Sequence, residues 1–417
     1  MKNKIITLLL ITNSFIIYAQ DKWERMDTPD SVEIYSINVS ENNDIYIGTA
    51  WDTYNGGVYK KTGDNEEWSF IGLRKKTVHS LELYSNTLFA GTNSGIYIDQ
   101  GNNDWQLVFD NPNNIISIAY SNDYFLAGTW KGIYKSSDDG ENWNKVLELG
   151  VADVINDFIE LSNGRLLAAH TGYDGGGTLY YSDDKGDTWN IAGLERTFLQ
   201  QFAIDSQNNI YVVSYGGYDG MGRVFRSDDF GMNWEEIYAR KKITSIIITP
   251  EDDIYIGATG SNMWYSGGVF MSHNYGQTWE VISEGTSGNV EELYLGANGY
   301  LYAICSELDG YEQGIYRTIE PVSSSINKKN NQNEKLSVYP NPFSQTTNIE
   351  FTTQDYNENI ELTVIDISGK QILKKSMQNL ASGNHSIEIQ MENSLPGIYF
   401  CKIHGTKFSL ISKLIKN

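Results

Sequence analysis

From Ile34 to Thr318 the chain alternates between short hydrophobic runs and polar turns rich in glycine, aspartate and asparagine. The stretch Asn113–Glu148 is typical. It breaks into four short strand-like runs, IISIAY, YFLAGT, GIYKS and WNKVLE. The same four-run unit is written before it as IYSINVS, DIYIGT, GGVYKK and WSFIG, and again as HSLELYS, TLFAGT, GIYID and WQLVF. Three more complete units follow it. A last unit, EELYLG, LYAICS and GIYRT, lacks its fourth run. Near the N-terminus an orphan run, DKWERM, carries a tryptophan where a fourth run should have one. Tryptophans 23, 68, 105, 143, 189, 234 and 279 stand in phase, and the last three steps are 46, 45 and 45 residues.

Four strands repeated at this period predict a ring of small sheets, because one four-stranded sheet cannot bury both its faces and radial stacking lets each cover the next. The expectation is an all-β chain: a seven-bladed β-propeller over residues 21–320, with the orphan run closing the last blade. A polar turn recurs between the third and fourth runs. It reads SSDDGENW (Ser136, Asp138, Gly140, Trp143), SDDKGDTW (Ser182, Asp184, Gly186, Trp189), SDDFGMNW (Ser227, Asp229, Gly231, Trp234) and SHNYGQTW (Ser272, Asn274, Gly276, Trp279). Aspartate and serine side chains cap the N–H groups of their own turn, and glycine accepts a positive φ. These residues are therefore expected to be structural, stapling the back of each blade. With these turns in phase, the body resembles the Asp-box (BNR-type) propellers, a group that includes sialidases, oligoxyloglucan-type glycoside hydrolases and receptor domains. The resemblance implies the architecture; a fold does not imply a function.

The loops between second and third runs lie at the opposite end, and they vary most. They carry Trp51, Asp52, Trp130, Tyr173, Asp174, Tyr218, Asp219, Trp264 and Tyr311. Aromatic rings that stack on a pyranose face, mixed with carboxylates that accept its hydroxyls, make this rim the expected ligand-binding surface. No catalytic residue is assigned, since a glycosidase needs two carboxyls at a set separation that sequence does not give. The Arg-Ile-Pro motif expected of a sialidase near the first blade is missing, which argues against that activity.

Charge and cysteine usage narrow the classes further. The net charge is −22, and through Glu320 the body after residue 20 carries 45 acids against 19 lysines and arginines. So acidic a body repels phosphate backbones, and no nucleic-acid partner is expected. Two cysteines, Cys305 and Cys401, exclude a disulfide framework. The five histidines show no ligand spacing, so neither metal nor cofactor is expected. Residues 1–20, with MKNK before an apolar run, read as a secretory signal peptide, and no later run is long enough to span a bilayer.

A polar linker, residues 321–335, separates the body from a module at 336–417 whose alternating runs suit a small β-sandwich. The module carries Tyr339-Pro340-Asn341-Pro342, a turn at Gly369 and another at Gly397. It resembles the type A C-terminal sorting domains of the type IX secretion system. That implies the secretion machinery as partner and a secreted or outer-surface location reached through the periplasm. The reading is a surface or secreted propeller that binds a glycan or a protein partner. The alternatives are a glycoside hydrolase of the oligoxyloglucan type and a scaffold of a surface assembly.

Overall fold

The computed structural model describes residues 22–323 and 337–417, apart from 51–54, 64–65, 85, 122–123, 139, 173–175, 218–219, 261–266, 307–312, 354–357, 367–370, 393 and 405–408. Among these residues every regular element is a strand. Within the described residues, 22–323 form seven four-stranded antiparallel sheets. In the third, Ile115–Ser121, Tyr124–Thr129, Gly132–Ser136 and Asn144–Glu148 run from innermost to outermost. The inner strands are Ile34–Val39, Val78–Tyr84, Ile115–Ser121, Val154–Glu160, Thr197–Ile204, Ile243–Ile248 and Asn289–Leu295. Each contacts the next, and the seventh contacts the first, so the sheets close a ring of propeller type.

Burial follows from this stacking. Second strands are almost wholly buried, as in Tyr124–Thr129 and Leu301–Ser306, because both faces meet a neighbouring sheet. Fourth strands, such as Asn144–Glu148, are mostly exposed. The apolar core is divided into wedges between successive sheets. One unites Leu126 and Ile133 of the third sheet with Ile155, Phe158 and Leu166 of the fourth. Another unites Ile34, Ile37 and Ile47 of the first with Tyr302, Ile304 and Ile315 of the seventh.

The seventh sheet takes its outer strand from the other end of the chain. Trp23–Arg25 pairs antiparallel with Gln313–Thr318 in the register Trp23↔Thr318 and Arg25↔Tyr316. Trp23 is 2% exposed, and its indole N–H donates to Ile282 O at 2.7 Å across the junction with the sixth sheet. Other phased tryptophans reach the outer edge of the preceding sheet in the same way. Trp105 donates to Ile71 O at 2.9 Å, Trp143 to Val108 O at 3.2 Å, and Trp68 to Asp27 O at 2.9 Å. The phase of tryptophans along the chain is thus a phase of contacts around the ring.

Past the last sheet the chain stays against the body to Ser323, whose N–H and that of Val322 both donate to Gly299 O. Residues 337–417 form two facing sheets. One holds Ser337–Tyr339, Thr346–Thr353 and Gly383–Gln390; the other holds Gln371–Leu380, Glu358–Asp366, Gly397–His404 and Ser409–Lys416. Their core gathers Phe343, Ile349, Leu362, Val364, Cys401 and Leu414. Gln371–Leu380 is a strand that the alternation did not reveal, because at the sheet edge its side chains are mostly solvent-facing. Cys305 and Cys401 are buried free thiols.

Candidate functional site: the channel mouth

Every inner strand departs from regular pairing near its start. The register slips between Ile34 and Ser36, Val78 and Ser80, Ile115 and Ser117, Ile155 and Asp157, Ile243 and Ser245, and Val290 and Glu292. The fifth strand slips twice between Thr197 and Phe202. A bulge sets two residues against one and re-aims the side chains. Because the bulges sit at one level in all seven strands, their residues meet on the axis. They line a cavity of about 410 Å³.

What occupies the bulge depends on the strand beside it. Ser36, Ser80, Ser117 and Ser245 pair with Gly48, Gly91, Gly128 and Gly257. A Cβ on any of these glycines would lie 2.2–2.5 Å from the serine Oγ, so the serine occupies the space that the glycine leaves. Where the partner is larger, Ala169 or Ile304, the bulge carries Asp157 or Glu292. The acids thus stand where no glycine makes room for a serine.

Many polar groups on the wall stitch neighbouring sheets. The Asp157 carboxylate accepts from Phe158 N and, across the junction, Phe202 N, both at 2.8 Å. Gln201 Oε1 accepts from Ile246 N at 2.9 Å, and Asn156 Nδ2 donates to Leu199 O at 2.6 Å. Gln313 joins the seventh sheet to the first by accepting from Ile34 N at 2.7 Å while its amide donates to Glu291 at 2.6 Å. Four carboxyls, Glu82, Asp157, Glu291 and Glu292, face the cavity, and no lysine or arginine lines it among the described residues. Burial pushes Glu82 up to about 8, with Asp157 and Glu292 adding their repulsion. Burial, then Glu291, raises Glu292 to about 8. Burial raises Asp157 to about 7 against the pull of its two N–H donors. Burial lowers His79, beside Tyr35, to about 4. Near neutrality Glu82 and Glu292 therefore keep their protons, and His79 is a neutral imidazole.

The end of the ring on which the channel opens follows from topology. The start of each inner strand is level with the end of the second strand, as in Ile34↔Thr49 and Ile115↔Thr129. The mouth and the loops between second and third strands therefore share one face. Three aromatic residues stand exposed there. Tyr35, at 43%, lies at the mouth; Trp130, at 45%, lies on the turn of the third sheet; Tyr215, at 36%, ends the second strand of the fifth. Trp130 is the member of the expected rim that the structure places. Trp51, Asp52, Tyr173, Asp174, Tyr218, Asp219, Trp264 and Tyr311 lie outside the described residues. Tyr35, Tyr215 and the acids of the wall were missed by sequence reasoning. The available signal was a polar residue breaking the apolar run at the same point of each first strand, as in VHSLELY and VINDFIE. His170 is buried at the end of a second strand, packed on Tyr180 with Asp153 3.8 Å from Nε2.

The Ser-Asp-Gly-Trp turns occupy the opposite face, since they join third to fourth strands. Ser136 Oγ accepts from Gly140 N at 2.9 Å and donates to Asp138 at 2.8 Å, and the same carboxylate accepts from Asn142 N at 2.8 Å and Asn142 Nδ2 at 2.7 Å. The Asn142 amide and backbone N–H hold Asp138 below the usual carboxylate range. Asp184 and Asp229 repeat the pattern with Thr188 and Asn233, and Asn274 does so through Thr278. Gly140, Gly186, Gly231 and Gly276 all have φ between 77° and 90°. Their acceptors are spent within the turn. Among the described residues no cluster of three His, Cys, Asp or Glu could hold a metal ion.

Comparison with known proteins agrees with this picture at two levels. Residues 337–417 match the family of secretion system C-terminal sorting domains. The chain is therefore handled by the type IX machinery and exported to the cell surface or beyond it. No curated protein matches the chain. Among solved structures, it is similar to the extracellular domain of a putative one-component system from B. thetaiotaomicron, with a TM-score of 0.54, 12% identity, and coverage of 81% of this chain and 45% of that one. It is also similar to a GH74 xyloglucanase from Xanthomonas campestris, with a TM-score of 0.53, 12% identity, and coverage of 80% and 60%. The chain thus spans less than two thirds of either neighbour. At this identity the likeness concerns the fold alone, which is all-β and propeller-like.

Proposed function

We propose that the exported body is a binding module that takes a glycan over the channel mouth. The observation that carries this reading is the mouth itself: exposed Tyr35, Trp130 and Tyr215 on the face where carboxyls, amides and a neutral imidazole line an open cavity. Aromatic faces stack on sugar C–H surfaces, while amides and carboxyls exchange hydrogen bonds with hydroxyls. The Ser-Asp-Gly-Trp turns, read as Asp-boxes, serve only to hold the blades. The test is a glycan array probed with the full chain, followed by a reducing-sugar assay on each glycan bound. Binding without sugar release supports the module. Absence of binding to any glycan, with retention of a protein from the cell surface, would overturn the glycan reading.

A second reading, glycoside hydrolysis, draws on a separate observation. A general acid must carry its proton near the working pH, and Glu82 and Glu292, raised to about 8, do so. Sugar release that disappears in Glu82→Gln or Glu292→Gln, with binding retained, would favour it.

A further inference from the structure

Among the described residues a polar contact joins the sorting domain to the body. Lys402, in the strand Gly397–His404, sends its ammonium to Gln207 O at 2.6 Å. Its neighbours in the strand, Cys401 and Ile403, are buried in the domain's own core, so Lys402 points away from that core. Gln207 lies in the turn joining the first two strands of the fifth sheet, Thr197–Ile204 and Ile210–Gly217. That turn is on the face of the Ser-Asp-Gly-Trp staples, opposite the channel mouth.

The receiving turn is rigid and anionic. Asp205 accepts from Gln207 N at 2.9 Å, Asn209 N at 2.8 Å and Asn209 Nδ2 at 2.7 Å. Ser206 is tied to Asp252 of the sixth sheet by its N–H and its hydroxyl, and the Gln207 amide donates to Tyr275 OH at 2.9 Å. The carbonyl that meets Lys402 is thereby preorganised. Burial pushes the Lys402 ammonium down, Asp205 and Asp228 pull it up, and Arg226 opposes them. Charge on the large scale agrees, since the body is strongly acidic whereas residues 321–417 carry 10 lysines against 8 acids.

We propose that the sorting domain docks on the back face of the body, with Lys402 seated in the socket formed by the Asp205–Asn209 turn and Asp228, so that the tail remains bound after the connection is cut while the channel mouth stays open. A charge-assisted contact of this kind is shorter and stronger than a neutral one, and it weakens as salt rises.

The test uses the full chain with a specific protease site inserted between residues 324 and 336. After cleavage, size-exclusion chromatography is run at about 50 mM and about 500 mM salt, conditions either side of effective screening. Co-elution of tail and body is expected at low salt, with separation at high salt. Lys402→Glu should lower the retained tail by about tenfold or more at low salt, since it places like charges together. Asp228→Lys is the second variant. It alters an exposed position on the body and leaves the sorting domain native, so it decides the matter should Lys402→Glu disturb folding. Separation of the wild-type pieces at low salt, or full co-elution of both variants, would overturn the proposal.

Discussion

Trp23→Ala tests whether the ring depends on a strand from the far end of the chain. The indole is 2% exposed and packs with Tyr255, Val269, Ile282, Leu293 and Tyr316 at the junction of sixth and seventh sheets. Truncating a buried tryptophan costs about 3–5 kcal/mol in lost transfer energy and residual cavity. Loss of the indole N–H also leaves Ile282 O without that donor, at a further cost of about 1 kcal/mol. Water entering from the adjacent groove, which Lys22, Glu280 and Glu284 also line, offsets part of this, so about 4 kcal/mol is expected. At about 2 °C per kcal/mol for a body of this size, the melting temperature should fall by about 8 °C. The assay is differential scanning calorimetry of Trp23→Ala beside Trp130→Ala, whose ring is exposed and should cost less than about 0.5 kcal/mol. Removing residues 22–26 should lower the transition further and expose the edge of Gln313–Thr318 to aggregation. A Trp23→Ala melt within about 1 °C of wild type, together with an unaltered deletion variant, would refute closure by the N-terminal strand.

Further outcomes follow from the same structure. Asp138→Ala, Asp184→Ala and Asp229→Ala should each lower the calorimetric transition while leaving glycan affinity unchanged, because their acceptors are spent within turns on the back face. The proton retained by folded Glu82 and Glu292 makes stability fall as pH rises from about 5 through about 8, where the unfolded carboxyls are already ionised. Glu82→Gln and Glu292→Gln should flatten that fall, by about 1–2 kcal/mol each once channel water is allowed for; denaturant titrations across pH measure it. Trp130→Ala should weaken glycan binding by about tenfold with an unchanged melt, a loss matching one stacking contact. Deleting residues 336–417 should leave the body folded but retained in the periplasm, as cell fractionation would show.

The features readable from sequence are those whose causes are local. The staple turns were legible because serine, aspartate, glycine and tryptophan act on one another within eight residues, and the side-chain hydrogen bonds joining Ser136 and Asp138 to Gly140 and Asn142 stay inside that window. Strand alternation was legible for the same reason, except in Gln371–Leu380, where an exposed edge removes the pressure for it. The orphan tryptophan pointed to an incomplete last sheet, because the repeat makes a missing strand visible. The sorting domain was legible in its turn motifs. The wall of the channel was not. Tyr35, Glu82, Asp157 and Glu292 lie far apart in the chain and meet only because seven bulges come to one level when the ring closes. Whether a bulge holds a serine against a glycine or an acid facing the axis depends on the residue across the sheet, as Ser36 with Gly48 and Glu292 with Ile304 illustrate. Local chemistry along the chain therefore determined the repeat and its staples. Tertiary structure alone decided which polar groups share a cavity, since that depends on a closure to which every sheet contributes.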